Sequence, residues 1–302
     1  MASKFILGVD GGGTRTTANI ADLEGKVLAE CITCSSNYKS VGKETAKENI
    51  NSAVFGAMGK LGERNCIGIK SSCFGIAGND TEYDLGVYKE IIFNENLKVF
   101  LDPSRTMICN DSRIGLEAGS TMENRIMVIC GTGSNCFGIN QWGKEAKVGG
   151  WDYILGDEGS GYDIAIRALK AVMKAYDGSG KNTILNKEVL KYLDFKSEPE
   201  IVEWIYREGM TKEKISEIAN VVCNSANLGD RISQEILAGA AEEVEIAIST
   251  VAEKLKISNK DFDLVLVGSV FECKKYFKEV LLNKLKKRFK GINFKKLTKK
   301  PV

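Results

Sequence analysis

The chain has 302 residues, with 42 Lys and Arg against 40 Asp and Glu, a formal net charge of +2 and no histidine. A hydrophobic fraction of 43% and a charged fraction of 27% are typical of a globular protein with a substantial core. The lack of histidine excludes Ser-His-Asp and Cys-His nucleophilic sites, histidine metal ligands and imidazole bases. Acid–base chemistry must therefore use carboxylates, Lys, Tyr or Cys.

No apolar run approaches the roughly 18 residues that a membrane-spanning helix needs, and the N-terminus becomes polar too early for a signal peptide. The sequence therefore predicts a cytoplasmic protein with no membrane contact. Nine cysteines, an odd number without a secretory signal, indicate reduced thiols. Cys31 and Cys34 lie within a predicted strand, where they would face opposite sides, and we interpret them as small buried apolar residues instead of metal or redox groups.

The first half of the chain predicts an α/β domain that opens with a strand meander. Apolar runs, Gly-rich turns and helical spacing predict strands at 4–10, 15–22 and 26–34, a helix over 43–61 that ends at Gly62, a strand at 73–77, a helix near 81–94 and a strand at 106–109. The last strand runs into Asn110-Asp111-Ser112, before a helix expected over 113–119.

The same opening pattern begins again at Arg125, about 120 residues later. The predicted elements are strands at 126–130, 135–139 and 144–148, helices near 158–176, 182–193, 198–206, 213–227 and 230–256, a strand at 263–267 and a basic helix before a final strand. This spacing is too long for a solenoid repeat. We therefore expect two homologous α/β domains that face each other across a cleft, residues 1–112 and residues 113–302.

A basic segment ends the chain: residues 284–302 carry nine Lys and Arg and no acidic residue. Such a segment can contact nucleic acid or anionic lipid. Here the basic residues follow an amphipathic pattern that includes Leu281, Leu285 and Phe289. A solvated helix face is therefore favoured, and no nucleic-acid partner is expected.

The first Gly-rich turn places Asp10 directly before Gly11, Gly12, Gly13 and Thr14. Glycines at a hairpin let backbone N–H groups approach an anion, because no Cβ intervenes. A carboxylate beside a phosphate would repel it unless a divalent cation lies between them, so Asp10 indicates Mg²⁺. The alternative is an ordinary Gly-rich hairpin with an aspartate in the turn.

The second Gly-rich turn, Gly131-Thr132-Gly133-Ser134, repeats this pattern in the second half. Two phosphate-binding hairpins that face each other would hold a triphosphate from both sides, which favours nucleotide binding. Further along, the strand near 264–267 meets Gly268 and Ser269 at a predicted helix start. The planar base of a nucleotide could lie against the backbone there.

Asp111 is the candidate base for the chemistry. It ends an apolar strand, where it could cap the following helix or accept the proton of an attacking hydroxyl. For phosphoryl transfer, a protein needs to supply little more than a positioned base, electrostatic stabilisation and a metal ion. In a chain without histidine, a carboxylate is the expected base.

Residues 149–161, GGWDYILGDEGSG, combine five glycines with aromatic and acidic residues. Aromatic faces of Trp151 or Tyr153 beside the carboxylates of Asp157 or Glu158 suit a polyhydroxylated ring. The two acids could also be first-turn residues of a helix that starts there.

Five segments together resemble the N-acetylglucosamine kinase family, also described as the BadF/BadG/BcrA/BcrD ATPase family, within the acetate/sugar kinase, heat-shock protein and actin superfamily. They are GVDGGGTRT at 8–16, NDS at 110–112, CGTGS at 130–134, GGWDYILGDEGSG at 149–161 and LVGS at 266–269. The resemblance covers nearly the whole chain. It implies two ribonuclease-H-like (actin-like ATPase) domains, each a mixed five-stranded sheet with helices, around an interdomain cleft.

The resemblance also implies an activity and its ligands. The expected protein is a kinase that uses ATP and Mg²⁺ to phosphorylate the 6-hydroxyl of an N-acetylhexosamine. N-acetylglucosamine, N-acetylmuramic acid, glucosamine and N-acetylmannosamine all stay open as substrates. A homodimer is a further expectation, since relatives often dimerise.

Site residues follow from the resemblance by position. Asp10 would organise Mg²⁺, the first Gly-rich turn would meet the phosphates, and Asp111 would be the base. The second turn, Thr132 to Ser134, would contact phosphate and sugar, and Gly268 with Ser269 would contact the adenosine. The residues that would hold the sugar are Asn37, Asp111, Thr132, Gly150, Trp151 and Asp157.

Two features depart from the family pattern. Members usually end with a Pro-x-x-Gly-Ala segment and a last helix that packs on the first domain, whereas this sequence stops at Lys300-Pro301-Val302. Either the chain is truncated or that helix is absent, and we expect reduced stability or weakened domain closure. Asp152 replaces the small residue, often glycine, that usually follows the tryptophan, and we expect this acid to alter the sugar preference.

Two other functions belong to related proteins. The first alternative is an ATPase activator of a 2-hydroxyacyl-CoA dehydratase or benzoyl-CoA reductase type system, which would hold a [4Fe–4S] cluster between two subunits. No suitable pair of cysteines in a glycine-rich segment is identifiable here, and CGTGS and LGDEGSG favour the sugar kinases. The second is a sugar sensor without activity, against which the intact Asp10 and Asp111 argue.

Overall fold

The computed structural model describes residues 5–61 and 68–297. Two compact units make up the chain: the first ends at Ala118, and the second runs from Gly119 to Leu297. The domain boundary expected after residue 112 falls inside a helix of the first unit. Gly62, the expected end of the helix over 43–61, and the final Lys300-Pro301-Val302 lie outside the described residues.

The first unit is built on a five-stranded mixed sheet. Its strands are β1 (Phe5–Gly11), β2 (Arg15–Ala21), β3 (Val27–Cys34), β4 (Ile69–Ile76) and β5 (Thr106–Asn110). The order across the sheet is β3-β2-β1-β4-β5, with an antiparallel meander β1-β2-β3 and parallel pairs β1-β4 and β4-β5. The carboxyl ends of β1, β4 and β5 therefore lie at one edge, where ligands of α/β sheets commonly bind.

Four helices complete the first unit: α1 (Tyr38–Val41), α2 (Lys43–Lys60), α3 (Glu82–Ile92) and α4 (Asp111–Gly119). The side chains that α2 buries are spaced three and four residues apart, for example Ala46, Ile50 and Ala53, so that one helix face packs on β2 and β3. Thr81 begins α3 with a capping box, in which Asp84 is the reciprocal partner.

The second unit repeats the topology of the first, as the repeated sequence pattern predicts. Its strands are β6 (Arg125–Cys130), β7 (Ser134–Ile139), β8 (Glu145–Gly149), β9 (Phe262–Val267) and β10 (Ile292–Lys296). The order is β10-β9-β6-β7-β8, again with an antiparallel meander and two parallel pairs. The predicted α/β fold with two mixed five-stranded sheets is confirmed.

The helices of the second unit follow its meander. They are α5 (Asp152–Leu155), α6 (Gly161–Tyr176), α7 (Leu185–Leu193), α8 (Pro199–Tyr206), α9 (Lys212–Ser216), α10 (Ile218–Asn227), α11 (Arg231–Lys254) and α12 (Glu279–Arg288). The short α5 was not expected, and a 3₁₀ turn over Ser269–Glu272 stands where the sequence predicted a helix directly after Gly268. Among the described residues, no helix is both long and apolar enough to cross a membrane.

The basic helix α12 is amphipathic, as expected. Leu281 and Leu285 are buried, and its basic side chains pair with acidic residues of α11. Lys284 contacts Glu242 at 2.8 Å, and Arg288 contacts Glu245 at 3.0 Å. Two basic side chains of this segment, Lys284 and Arg288, are therefore paired with acidic residues of a neighbouring helix.

Two expectations about cysteines are wrong. Cys223 of α10 and Cys273 form a disulfide with a Cα–Cα distance of 5.8 Å, although all thiols were expected to be reduced. A separation of 50 residues conceals this pairing in the sequence. Cys31 and Cys34 lie on a strand as predicted, but Cys34 is exposed and Cys31 is only partly buried, so neither is a buried apolar residue.

Candidate active site

The first Gly-rich turn closes at the carboxyl end of β1. The N–H of Gly12 donates to the carbonyl of Arg15 at 2.8 Å, which makes the hairpin tight. A Cβ on Gly11 would lie 2.4 Å from Oγ of Ser36, so only glycine allows this approach. Asp10 is half-buried beside the turn; burial raises the pKa of its carboxyl, and the charge of Arg15 partly opposes the rise.

Asn37 lies next to this turn. Ser35 connects the two, because its Oγ donates to the carbonyl of Gly12 at 3.2 Å and accepts from the N–H of Asn37 at 3.2 Å. Oδ1 of Asn37 accepts from the N–H of Lys39 and so caps α1. The structure thus brings the predicted sugar residue Asn37 beside the predicted phosphate turn.

A further segment of the first unit, residues 77–80, was missed by the sequence reasoning. The N–H of Ala77 donates to the carbonyl of Gly11 at 2.7 Å, and a Cβ on Gly78 would lie 2.6 Å from Oδ1 of Asn37. The side chain of Asn110 donates to Oδ1 of Asp80 at 3.1 Å. The signal was available, because this segment follows a strand parallel to β1 and β5, and such strands end at one edge.

Asp84 accepts several hydrogen bonds at this polar edge. It accepts hydrogen bonds from the hydroxyl of Tyr38 at 2.6 Å and from Nζ of Lys39 at 2.9 Å. Burial opposes ionisation of Asp84, but these hydrogen bonds and those from Thr81 outweigh it and hold its pKa well below the usual range. The pKa of Tyr38 rises to about 12, through burial and the neighbouring Asp84. The ionised carboxylate of Asp84 therefore holds the side chains of Tyr38 and Lys39 in place. Asp84 is not among the site residues that the sequence predicted.

Asp111 is the first residue of α4 and is half-buried. The capping role considered for it falls to Asn110, whose Oδ1 accepts from the N–H of Ser112 at 2.9 Å. Through its side chain, Asn110 also contacts Asp80. Asp111 therefore follows a residue that is fixed at the polar edge formed by β1, β4 and β5.

The second Gly-rich turn is held at the beginning of α6. The N–H of Gly161 donates to the carbonyl of Gly131 at 2.8 Å, and the N–H of Tyr162 donates to the carbonyl of Thr132 at 3.2 Å. The hydroxyl of Ser134 donates to the carbonyl of Glu158 at 2.7 Å. The turn and the segment 149–161 thus form one structure, which the sequence could suggest only by resemblance.

Asp157 lies at the centre of this structure and is only 3% exposed. Oδ1 accepts from the N–H of Ser134 at 3.0 Å, whereas Oδ2 is buried with no hydrogen-bond partner. A Cβ on Gly133 would lie 2.7 Å from Oδ2, so the glycine is required there. Burial raises the pKa of Asp157, opposed by the Ser134 N–H and by Lys212.

The alternative in which Asp157 and Glu158 begin a helix is wrong. Helix α6 begins at Gly161, because Ser160 caps it by accepting from the N–H of Asp163 at 3.1 Å. Asp157 instead has a positive φ of 65°, and its carboxylate accepts a hydrogen bond from the Gly-rich turn.

Trp151 presents an exposed ring near this segment. The residue is 57% exposed, and Nζ of Lys147 lies 5.3 Å from the centroid of its ring. Gly150 has a φ of 73°, a conformation that glycine adopts without strain. Tyr153 packs edge-on against Tyr162, with 5.1 Å between centroids, so Trp151 is the better candidate for the face of a ligand ring.

Gly268 lies directly against the second Gly-rich turn. Its φ is 115°, and a Cβ would lie 2.2 Å from the carbonyl oxygen of Cys130. Beside it is a cavity of about 360 Å³, whose walls include Gly131, Ser269 and the disulfide-bonded Cys223 and Cys273. This volume lies within the range of small-ligand pockets. The cavity is the candidate binding site for a nucleoside.

The fold is also found in two solved structures. The chain superposes on a candidate N-acetylglucosamine kinase from Chromobacterium violaceum with a TM-score of 0.73 and 21% identity, covering 97% of this chain and 94% of that one. A candidate N-acetylglucosamine kinase from Porphyromonas gingivalis gives a TM-score of 0.69 and 22% identity. That superposition covers 98% of this chain and 95% of that one. At these identities the likeness establishes the fold.

Residues 7–297 match the model of the BadF/BadG/BcrA/BcrD ATPase family, and the chain belongs to this family. It is 36% identical to an N-acetylmuramic acid/N-acetylglucosamine kinase of Clostridium acetobutylicum, over 97% of this chain and 92% of that protein. It is 32% identical to an N-acetyl-D-glucosamine kinase of Dictyostelium discoideum, over 96% of this chain and 92% of that protein.

Proposed function

We propose that the protein is an ATP-dependent kinase that phosphorylates the 6-hydroxyl of an N-acetylhexosamine. Support comes from the curated relatives, which are named as kinases of N-acetylglucosamine or N-acetylmuramic acid and match nearly the whole chain. The structural observation that carries the proposal is the arrangement at Asp157. There, a buried carboxylate is fixed by the backbone of a Gly-rich turn and keeps one oxygen without a hydrogen-bond partner.

That oxygen matters because a buried carboxylate oxygen that accepts no hydrogen bond is costly. The hydroxyls of a sugar are donors that would satisfy it. Asn37, Gly150 and Trp151 are the other residues that we assign to the sugar, together with Asp111 and Thr132. The exposed face of Trp151 provides an apolar surface for the C–H face of the ring.

The nucleotide would use both Gly-rich turns. We assign Gly11, Gly12, Gly13 and Thr14, with Thr132, Gly133 and Ser134, to the phosphates of ATP. Gly268 and Ser269 would contact the adenosine in the cavity of about 360 Å³. The disulfide-bonded cysteines would lie in the wall of that cavity, a feature absent from the sequence-based expectation.

A magnesium ion fits the residues at the first turn. Among the described residues, no group of three or more Cys, Asp or Glu could hold a metal ion by itself. Mg²⁺ commonly keeps several waters and takes one or two carboxylates together with substrate phosphates, so Asp10 alone is a suitable protein ligand. Burial disfavours its charged form, and a cation would offset that cost. When bound, the ion would neutralise phosphate charge.

Asp111 would act as the base in the transfer. As the sugar 6-oxygen forms a bond to the γ-phosphorus of ATP, the bond from that phosphorus to the bridging oxygen of ADP breaks. The hydroxyl proton passes to the carboxylate of Asp111. This role needs a carboxylate that is held in position. The preceding residue, Asn110, is held by the contact of its side chain with Asp80.

A coupled ADP-release assay tests the proposal directly. The wild-type protein would be measured with ATP and Mg²⁺ against N-acetylglucosamine, N-acetylmuramic acid, glucosamine and N-acetylmannosamine, with glucose as the control. We expect release that depends on an N-acetylated hexosamine and exceeds that with glucose. Equal release with and without any sugar would overturn the proposal and favour the ATPase activator.

A further inference from the structure

An ion pair connects the segment after Trp151 to a helix far along the chain. Lys212, the first residue of α9, contacts the carboxylate of Asp152. Its Nζ also lies 3.9 Å from Oδ2 of Asp157. One ammonium group is therefore shared by two carboxylates that lie five residues apart in the sequence. The proposed function assigns a role to Asp157 but none to Lys212 or Asp152.

Asp152 has an unusual conformation that fixes its side chain. Its φ of 66° lies in the left-handed region, which aspartate tolerates better than most residues other than glycine. Its Oδ1 accepts from the N–H of Tyr153 at 2.9 Å and also contacts Lys212. The carboxylate therefore cannot turn freely, and it holds the ammonium group of Lys212 near Asp157.

The electrostatic surroundings of Asp157 make this ammonium group important. Its own loop contributes Asp152 and Glu158, whose charges oppose its ionisation, as burial does most strongly. The turn before β7 contributes the Ser134 N–H, and α9 contributes Lys212; both favour the ionised form. Among the described residues that act on Asp157, Lys212 is the cation. The side chain of Lys212 is 29% exposed and that of Asp157 is 5% exposed, which limits screening of the pair by solvent.

We propose that Lys212, held by Asp152, is a positioning residue for the sugar site: it keeps the buried Asp157 ionised and able to accept hydrogen bonds at neutral pH. This inference rests on the proposed function for the identity of the ligand. An ionised carboxylate accepts hydrogen bonds at both oxygens, whereas a protonated one must donate at one of them. Sugar binding should therefore depend on the charge of Asp157.

The sign of the effect follows from the charges. A cation beside a carboxylate lowers its pKa by about 1–3 units, so removal of the Lys212 charge raises the pKa of Asp157. As the pH is lowered, Asp157 in the variant is then protonated at a higher pH than in wild type. The affinity for the sugar falls at that higher pH. The chemical step at saturating sugar is little affected, because Lys212 is not proposed to touch the reacting atoms.

Steady-state kinetics from pH 5.5 to 8.5 test this role with the best sugar substrate. We compare wild type with K212M, K212Q and K212R, and with K214M as the matched control, since Lys214 is an exposed residue of the same helix. For K212M and K212Q we expect the acid limb of kcat/KM to move up by about one pH unit, with a KM for the sugar about tenfold higher at pH 6. The kcat should change less than twofold, and K212R and K214M should resemble wild type.

An unchanged acid limb in K212M and K212Q would overturn the inference. So would a higher KM that is independent of pH and is not restored by K212R, because a purely structural role would produce that result.

A second measurement needs neither sugar nor ATP. The carboxyl carbon of Asp157 is followed by ¹³C NMR through a pH titration of wild type, K212M and K214M. The titration midpoint should rise in K212M alone, and an equal midpoint in all three proteins would contradict the inference. If wild type phosphorylates no amino sugar, the proposed function fails, while this titration still decides the role of Lys212.

Discussion

The backbone N–H of Ser134 donates a hydrogen bond of 3.0 Å to Oδ1 of Asp157. This contact joins the Gly-rich turn assigned to phosphate with the acidic segment assigned to the sugar. A movement of either segment is therefore transmitted to the other, so ligands bound to the two should influence each other. Gly133 makes the approach possible, because a Cβ there would collide with the same carboxylate.

The D157N variant separates binding from stability. Loss of hydrogen bonds to a charged acceptor should raise the KM for the sugar about 10–100-fold. The pKa of Asp157 is raised by burial in the folded protein, so its ionisation costs stability as the pH rises through that value. We expect D157N to melt at a higher temperature than wild type at pH 7, and at a similar temperature near pH 4.

Thermal unfolding at the two pH values checks this prediction, with D177N as a control at an exposed acid that follows α6. A variant that melts lower than wild type at pH 7 and keeps its KM would contradict the assignment of Asp157.

The D10N variant tests the proposed metal ligand. Without the carboxylate, we expect the Mg²⁺ concentration that gives half-maximal rate to rise about tenfold or more, and transfer to slow. The measurement is a Mg²⁺ titration of the ADP-release rate at fixed ATP. D194N, which removes an exposed charge where asparagine tolerates the left-handed backbone, should titrate like wild type. Coincident Mg²⁺ titration curves for D10N and wild type would contradict the assignment of Asp10 as a metal ligand.

The G268A variant tests the close contact behind the nucleoside cavity. The new Cβ would lie 2.2 Å from the carbonyl oxygen of Cys130, at a φ of 115°. We expect a loss of about 2–4 kcal/mol in the free energy of unfolding, together with weaker nucleotide binding. G143A is the matched control, because Gly143 also has a positive φ but has open space around its Cβ. It should cost only about 1 kcal/mol.

Denaturant unfolding and titration with ADP distinguish the two glycine variants. If G268A and G143A lose the same free energy of unfolding, backbone strain and not the contact with Cys130 causes the destabilisation.

The fold was largely predictable from the sequence because the same pattern occurs twice. Strands, Gly-rich turns and helices depend on local residue order, and most of their ends lie within a few residues of the predicted ones. The beginning of α6 was misplaced because Ser160 lies among other candidate caps, and only the structure shows which one accepts the N–H of Asp163. The disulfide joins cysteines 50 residues apart, which sequence spacing does not reveal.

The candidate site residues of each unit were predictable in part. Carboxylates at strand ends, such as Asp10 before the glycines and Asp111 after Asn110, stood out by their position. Asp80 and Lys212 did not, because Asp80 contacts Asn110, and Lys212 contacts Asp157, through packing of segments that are distant in the sequence. Their roles depend on distances between side chains, which residue types and spacing do not specify.

The most direct test of the central claim is the D111N variant in a ³¹P NMR assay of the sugar product. Wild type should convert ATP and an N-acetylhexosamine into ADP and the sugar 6-phosphate. D111N should form this product about 10²–10⁴-fold more slowly while binding ATP with nearly unchanged affinity. A D111N protein that produces the 6-phosphate at close to the wild-type rate would contradict the account.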